Sequence, residues 1–142
     1  MAPTELFTGN SIAISFDAEV PCLVFTSGWL TLNDDRLINA SRALVEKAEE
    51  LCERYAELGL LADARGVTLL SYEDIEWSAL NLMPRLVRVG ISKVAIVYGE
   101  NPTALARAVE FLALASITSL PIESKIFQNI GEAKAWLKEK LY

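Results

Sequence analysis

Histidine is absent from the chain. That removes Ser-His-Asp and Cys-His activation of a nucleophile and the common zinc ligand sets. A cysteine thiolate can still be activated in other ways. The two cysteines, Cys22 and Cys52, do not form a C-x-x-C pair. Cys22 falls in an apolar run and Cys52 on the apolar side of a helical pattern, so both read as structural thiols. Carboxylates gather at Asp34 and Asp35 and again at Glu73, Asp74 and Glu76. Both clusters lie at predicted helix starts, where negative charge suits the helix dipole for local reasons. Hard-metal binding is the rival role for them. Gly99-Glu100-Asn101-Pro102-Thr103 lies between a predicted strand and a predicted helix, a context that can hold a phosphate or carboxylate. It is neither a Walker loop nor G-x-G-x-x-G, and Glu100 repels an anion. Asn101 as cap with Pro102 at the first position is its plainer explanation; Asn101 and Thr103 are the ligand-site candidates if it binds. Arg65 follows a predicted central strand, at the end where open α/β sheets place their ligands. It can pair with Asp63 or Asp74, or hold an anionic group of a partner.

The elements that must position these groups follow from periodicity. Residues 1–10 read as a short lead-in. Residues 11–16 alternate, with Ile12, Ile14 and Phe16 on one side, which predicts a half-solvated strand. Residues 22–27 predict a second strand, pairing with the first as a hairpin. A long helix is expected from Asn33 or Asp34 to about Leu58, stopped by Gly59. Leu37, Ser41, Leu44, Ala48, Leu51 and Tyr55 make its apolar stripe. Residues 60–64 predict a buried strand. Ser71 with Asp74 resembles a capping box opening the next helix, in which Pro84 predicts a kink or break. Residues 93–98 predict a strand, and a helix follows from Pro102 to about Ala115. That helix has a wide apolar face of Ala104, Leu105, Ala108, Val109, Phe111, Leu112 and Ala115. It predicts core packing, with a ligand pocket or a homodimer contact as the alternatives for the excess. A strand over 122–127 and a helix over 130–141, with Trp136 on its buried face, complete the order. Alternation of strand and helix implies a parallel sheet with right-handed crossovers. The expected fold is therefore α/β and single-domain, with a mixed, mostly parallel sheet of about five strands and about four helices.

Whole-chain properties narrow the partners. A chain of 142 residues suits one domain able to bury its own core. Its net charge of −6 repels phosphate backbones, so nucleic acid is not an expected partner. No signal-peptide pattern is seen at the start. The most apolar stretch, 104–120, is interrupted by Arg107 and Glu110 and predicts no membrane span. A cytoplasmic location is the default expectation.

Several local phrases, in this order, resemble the STAS domains, and within them the SpoIIAA-like branch of mostly uncharacterised bacterial proteins. Ser27-Gly28-Trp29-Leu30-Thr31 leads from a strand toward the first helix. Leu61-Ala62-Asp63-Ala64-Arg65-Gly66-Val67 closes the central strand. Lys93-Val94-Ala95-Ile96-Val97, Ile122-Glu123-Ser124-Lys125-Ile126-Phe127 and Glu132-Ala133-Lys134-Ala135-Trp136-Leu137 carry the C-terminal half. The resemblance covers residues 25–141. It implies a module that binds proteins and sometimes small ligands, without a cofactor and without enzymatic activity. Classical members carry Asp-Ser-Ser/Thr-Gly at the helix after the central strand, where a kinase phosphorylates the serine. Here Ser71-Tyr72-Glu73-Asp74 occupies that stretch; Ser71 stands where the family's Asp lies and Tyr72 where its phosphorylated Ser lies. The branch also resembles CRAL-TRIO lipid-binding domains in core topology, which implies an apolar ligand as the alternative.

Two expectations follow. An interaction module places its surface at Arg65, Ser71, Tyr72 and Asp74, facing a protein partner yet to be identified. A carrier or sensor of an apolar, lipid-like small molecule predicts a cavity of several hundred Å3, the usual order for ligand sites.

Overall fold

The computed structural model describes residues 4–9, 12–27, 36–67 and 71–139. Asp34, Asp35 and most of the Ser27 to Thr31 phrase lie outside them. The alternation of Ile14 and Phe16 gives strand β2 (Ile12–Asp17), paired antiparallel with β3 (Cys22–Ser27) so that Ile14 opposes Phe25 and Phe16 opposes Leu23. The segment expected to be a lead-in supplies a further strand, β1 (Thr4–Gly9), antiparallel to β2. Strands β4 (Gly59–Asp63), β5 (Lys93–Val97) and β6 (Glu123–Phe127) then add in parallel beyond β3. The sheet order is β1-β2-β3-β4-β5-β6, the order of the chain itself. The expected α/β class and mixed, mostly parallel sheet are present.

Sequential order has a geometric consequence. Each right-handed crossover between neighbouring parallel strands returns on the same side of the sheet. The three crossover helices therefore share one face. They are α1 (Arg36–Cys52), a long helix built of α2 (Tyr72–Trp77), a π-helical turn (Ser78–Leu82) and α3 (Met83–Val89), and α4 (Pro102–Ile117). Leu23, Leu60, Val94 and Ile96 of the sheet pack on them with Leu44, Ala79, Leu86 and Phe111. Helix α5 (Ile130–Lys138), which follows β6, covers the opposite face. There Cys22, Val24, Leu61, Ala95 and Val97 meet Ala133 and Leu137. Successive strand residues serve opposite layers, as the two-residue period of a strand requires.

Two local expectations are corrected. Helix α1 ends at Cys52, short of Leu58, and Gly59 begins β4. A Cβ on Gly59 would lie 2.9 Å from Leu137 Cδ2, so this glycine admits α5 to the sheet and does not stop a helix. At Pro84, where a kink or break was expected, the helix is not broken and carries a widened turn. Proline lacks an N–H and crowds the carbonyl four residues earlier. The Met83 N–H donates to Ser78 O, five residues back, and the helix continues past Pro84 as α3.

Candidate functional site

A cavity of about 130 Å3 lies between the sheet and the three crossover helices. Its floor is Phe25 of β3, Leu60 and Ala62 of β4, and Val94 and Ile96 of β5. Leu37, Ser41 and Leu44 of α1 form one wall; Ile75, Ser78, Leu82 and Met83 line it from the long helix. Ala104, Arg107, Ala108 and Phe111 of α4 complete it. The void exists because small residues oppose small residues: Ala62 and Ala64 at the sheet end, Ala104 and Ala108 on α4. The π turn sits at its edge, and Ser78 Oγ is turned away from it into a 3.0 Å hydrogen bond to Asp74 O. Single π turns inside helices often accompany functional sites.

Two polar groups in this lining have no partner. Ser41 is 2% exposed and its Oγ makes no hydrogen bond. Arg107 Nε is buried and likewise unpaired. The Arg107 Nη1 to Glu110 Oε2 approach of 2.9 Å is a close ion pair without hydrogen-bond alignment. The Arg107 side chain keeps 25% exposure, and the cavity is partly open to solvent. Ser41 was visible in the sequence as a polar residue inside an apolar stripe, and Arg107 as a charge inside an apolar run. Neither was singled out as a site residue.

The residues that were singled out lie at the C-terminal end of the parallel strands, and mostly hold one another. Arg65 Nε donates to Asp63 Oδ1 and Nη2 to Asp63 Oδ2, both at 2.9 Å. Of the two acidic partners open to Arg65, Asp63 is the one it takes. That hydrogen bond, ahead of the opposing effect of burial and together with the carboxylate charge, raises the Arg65 pKa above its ordinary value. The Arg65 stem lies on Gly99, whose φ of +62° and lack of a Cβ permit the contact. Ser71 and Asp74 form the expected capping box: Ser71 Oγ accepts from Asp74 N at 3.1 Å, and Asp74 Oδ2 accepts from Ser71 N at 2.9 Å. Tyr72 is 47% exposed. Asn101 Oδ1 accepts from the Thr103 and Ala104 N–H groups at 3.0 and 3.2 Å, while its Nδ2 donates to Arg65 O and Val67 O. Asn101 thus caps α4 and staples the β4–α2 connection to it. The first-turn donors that would have met an anion are used in the cap. The strand order does not reverse at this end, so the crevice that a reversal opens in other α/β sheets is not formed here.

Elsewhere, Cys22 is fully buried, and burial, with the Asp17 charge, pushes its thiol up to about 12. Burial also raises the Cys52 thiol. Among the described residues, no group of three or more Cys, Asp or Glu is placed to hold a metal, and no helix is long and apolar enough to cross a membrane. The wide apolar face of α4 divides: Ala104, Ala108 and Phe111 are buried, whereas Leu105 and Val109 are exposed, as is Ile117 beyond them. No protein-family model, no curated protein and no solved structure matches the chain.

Proposed function

We propose that this protein is a non-enzymatic regulatory module of the STAS kind that senses or carries a small apolar molecule between its sheet and its three-helix layer. The observation that carries this reading is the cavity of about 130 Å3 with an almost wholly apolar lining. An apolar void near 150 Å3 stays dry and takes up benzene. The expected several hundred Å3 is not reached, so the ligand class contracts from lipid-like chains to molecules of about benzene size. The non-enzymatic part is supported by where reactive groups sit: Arg65 and Asp63 hold each other, Ser71 and Asp74 close a helix cap, and the Cys22 thiol is buried.

Benzene titrated into the protein is the direct test, followed by amide chemical shifts. Saturable shifts confined to the cavity lining, lost in Ala108→Leu, are expected; shifts absent at benzene saturation would sink the reading. Native mass spectrometry of freshly purified protein adds the natural ligand's mass if it co-purifies.

A second reading, a protein-interaction surface at the β4–α2 connection, is favoured by the exposed ring of Tyr72 and the half-exposed Arg65 side chain. It predicts that Arg65→Ala with Tyr72→Ala abolishes capture of a partner without lowering the melting temperature. Undiminished capture places the surface elsewhere.

A further inference from the structure

Every exposed residue of α4 is uncharged. Leu105, Val109 and Ile117 stand in solvent, while the two charges of the helix, Arg107 and Glu110, are partly buried and pair with each other. Helix α1 exposes Arg42, Glu46, Glu49 and Glu50 instead, the usual solvated face. Helical side chains step by about 100°, and Arg107 and Phe111 line the cavity. Leu105, Val109 and Leu112 therefore form a row on the flank of α4 turned away from the long helix. Helix α4 packs on β6, the end of the sheet, so this row faces the open edge.

Two strands end the sheet. Strand β1 has a shift of register between Glu5 and Phe7, the kind of irregularity that blunts an edge. Strand β6 keeps unbroken register with β5 from Glu123 to Phe127 and contains no proline. The Glu123 N–H donates to Ser92 O, and Phe127 O accepts from the Tyr98 N–H, so residues 123, 125 and 127 turn their peptide groups to β5. Ser124 and Ile126 turn theirs outward, where no further strand lies among the described residues. An antiparallel mate bonds such an edge through its outward residues, which leaves few registers. Centred on Glu123 or Lys125, a two-fold pairing sets like charges face to face, which is destabilising. Centred on Ile126, it gives neither charge an opposite. Centred on Ser124, it sets Glu123 of each copy opposite Lys125 of the other. Neither side chain has an ion-pair partner among the described residues; the Lys125 ammonium stands only near the Phe127 ring, 5.8 Å from its centre. A two-fold interface must be complementary to itself, and this edge is so in one register.

We propose that the outer flank of α4 and the β6 edge form a two-fold interface with a second copy of this chain, in which β6 pairs antiparallel with its mate about Ser124. The sheet then continues across the seam, and the two α4 rows cover each other above it. Sedimentation equilibrium of the wild-type chain at about 100 µM, above the micromolar dissociation constants of weak standard-size interfaces, should give twice the chain mass. Val109→Arg, at an exposed position, should give a monomer that circular dichroism shows to be folded. Glu123→Lys and Lys125→Glu should each weaken the dimer about ten- to thirtyfold, since two opposite-charge pairs become two like-charge pairs. Mixed in equal amounts, these two variants should associate as tightly as the wild type, because both pairs are restored between them. The double variant Glu123→Lys with Lys125→Glu should dimerise by itself. A wild-type chain that stays monomeric overturns the proposal and assigns the edge to a different occupant. A dimer indifferent to Val109→Arg overturns the placement. A dimer broken by Val109→Arg but indifferent to both charge reversals, or not restored by mixing them, overturns the register.

Discussion

Replacing Ser41 by Ala should make the free protein more stable. An unpaired buried hydroxyl carries a desolvation cost of about 1–3 kcal/mol, and alanine removes it. Alanine is also the better helix former by about 0.5 kcal/mol, and Ser41 lies well inside α1. Against this, loss of one oxygen enlarges the void at a cost of a few tenths of a kcal/mol. The net expectation is a gain of about 1–3 kcal/mol, or roughly 3–10 °C in melting temperature for a chain of this size. Urea unfolding followed by far-ultraviolet circular dichroism gives the free energy, and a thermal scan gives the temperature. A fall in stability of similar size would refute the reasoning: the hydroxyl would then be holding a buried water in the free protein, and the polar corner would be filled without a ligand.

On the opposite face, Lys93 is 5% exposed and its Nζ donates at 2.9 Å to both Trp136 O and Glu139 O, 4.7 Å from the Trp136 ring centre. Lys93→Met should cost about 2–4 kcal/mol through two charge-assisted bonds, with α5 amides exchanging fastest; unchanged exchange in α5 refutes its role as the tether. Asp17 is held by Lys134 Nζ at 2.7 Å and by the Glu19 N–H. Burial alone would raise its pKa, but these hydrogen bonds and the lysine charge outweigh burial and lower it. A depressed carboxylate contributes stability above its unfolded value, near 3.9, and loses it as pH falls through the folded one. Asp17→Asn should therefore melt below the wild type at pH 7 and converge with it under acid; a constant gap refutes the ion pair. Thiol titration should find Cys22 inert until the protein unfolds, given its burial and a pKa pushed to about 12; reaction at the rate of a free thiol contradicts that.

What was legible in the sequence was local. The Ile14 and Phe16 alternation, the Ser71 to Asp74 box and the Asn101 cap depend on residues within a turn of one another, and each forms as expected. What was missed depends on distant packing. Gly59 looked like a helix stop, yet its reason is Leu137, far along the chain. Pro84 announced a kink or break, and the disturbance takes the form of a widened turn with the helix continuing beyond it. Lys93 was placed in a strand with no role of its own, and its partners lie 43 and 46 residues away. Ser41 was placed on the buried side of α1; that its hydroxyl is left without a partner depends on what the rest of the fold packs around it.

The two faces of the sheet make the case for a ligand by contrast. On the α5 side, the buried charged groups among the described residues are matched: Lys93 to carbonyls, Asp17 to Lys134, Asp63 to Arg65. On the three-helix side, Ser41 Oγ, Arg107 Nε and Ser124 Oγ are buried with no hydrogen-bond partner, and the cavity is there as well. An apolar space of about 130 Å3 leaves its lining short of packing partners, at a cost in stability. A larger residue at Ala62, Ala104 or Ala108 would remove that cost, and a nonpolar one at Ser41 would remove the unpaired hydroxyl. Both defects fall on the same lining, beside the one π turn among the described residues. A small apolar molecule that fills the space relieves the first of these costs with no change of residue, and binding to the native state then adds stability.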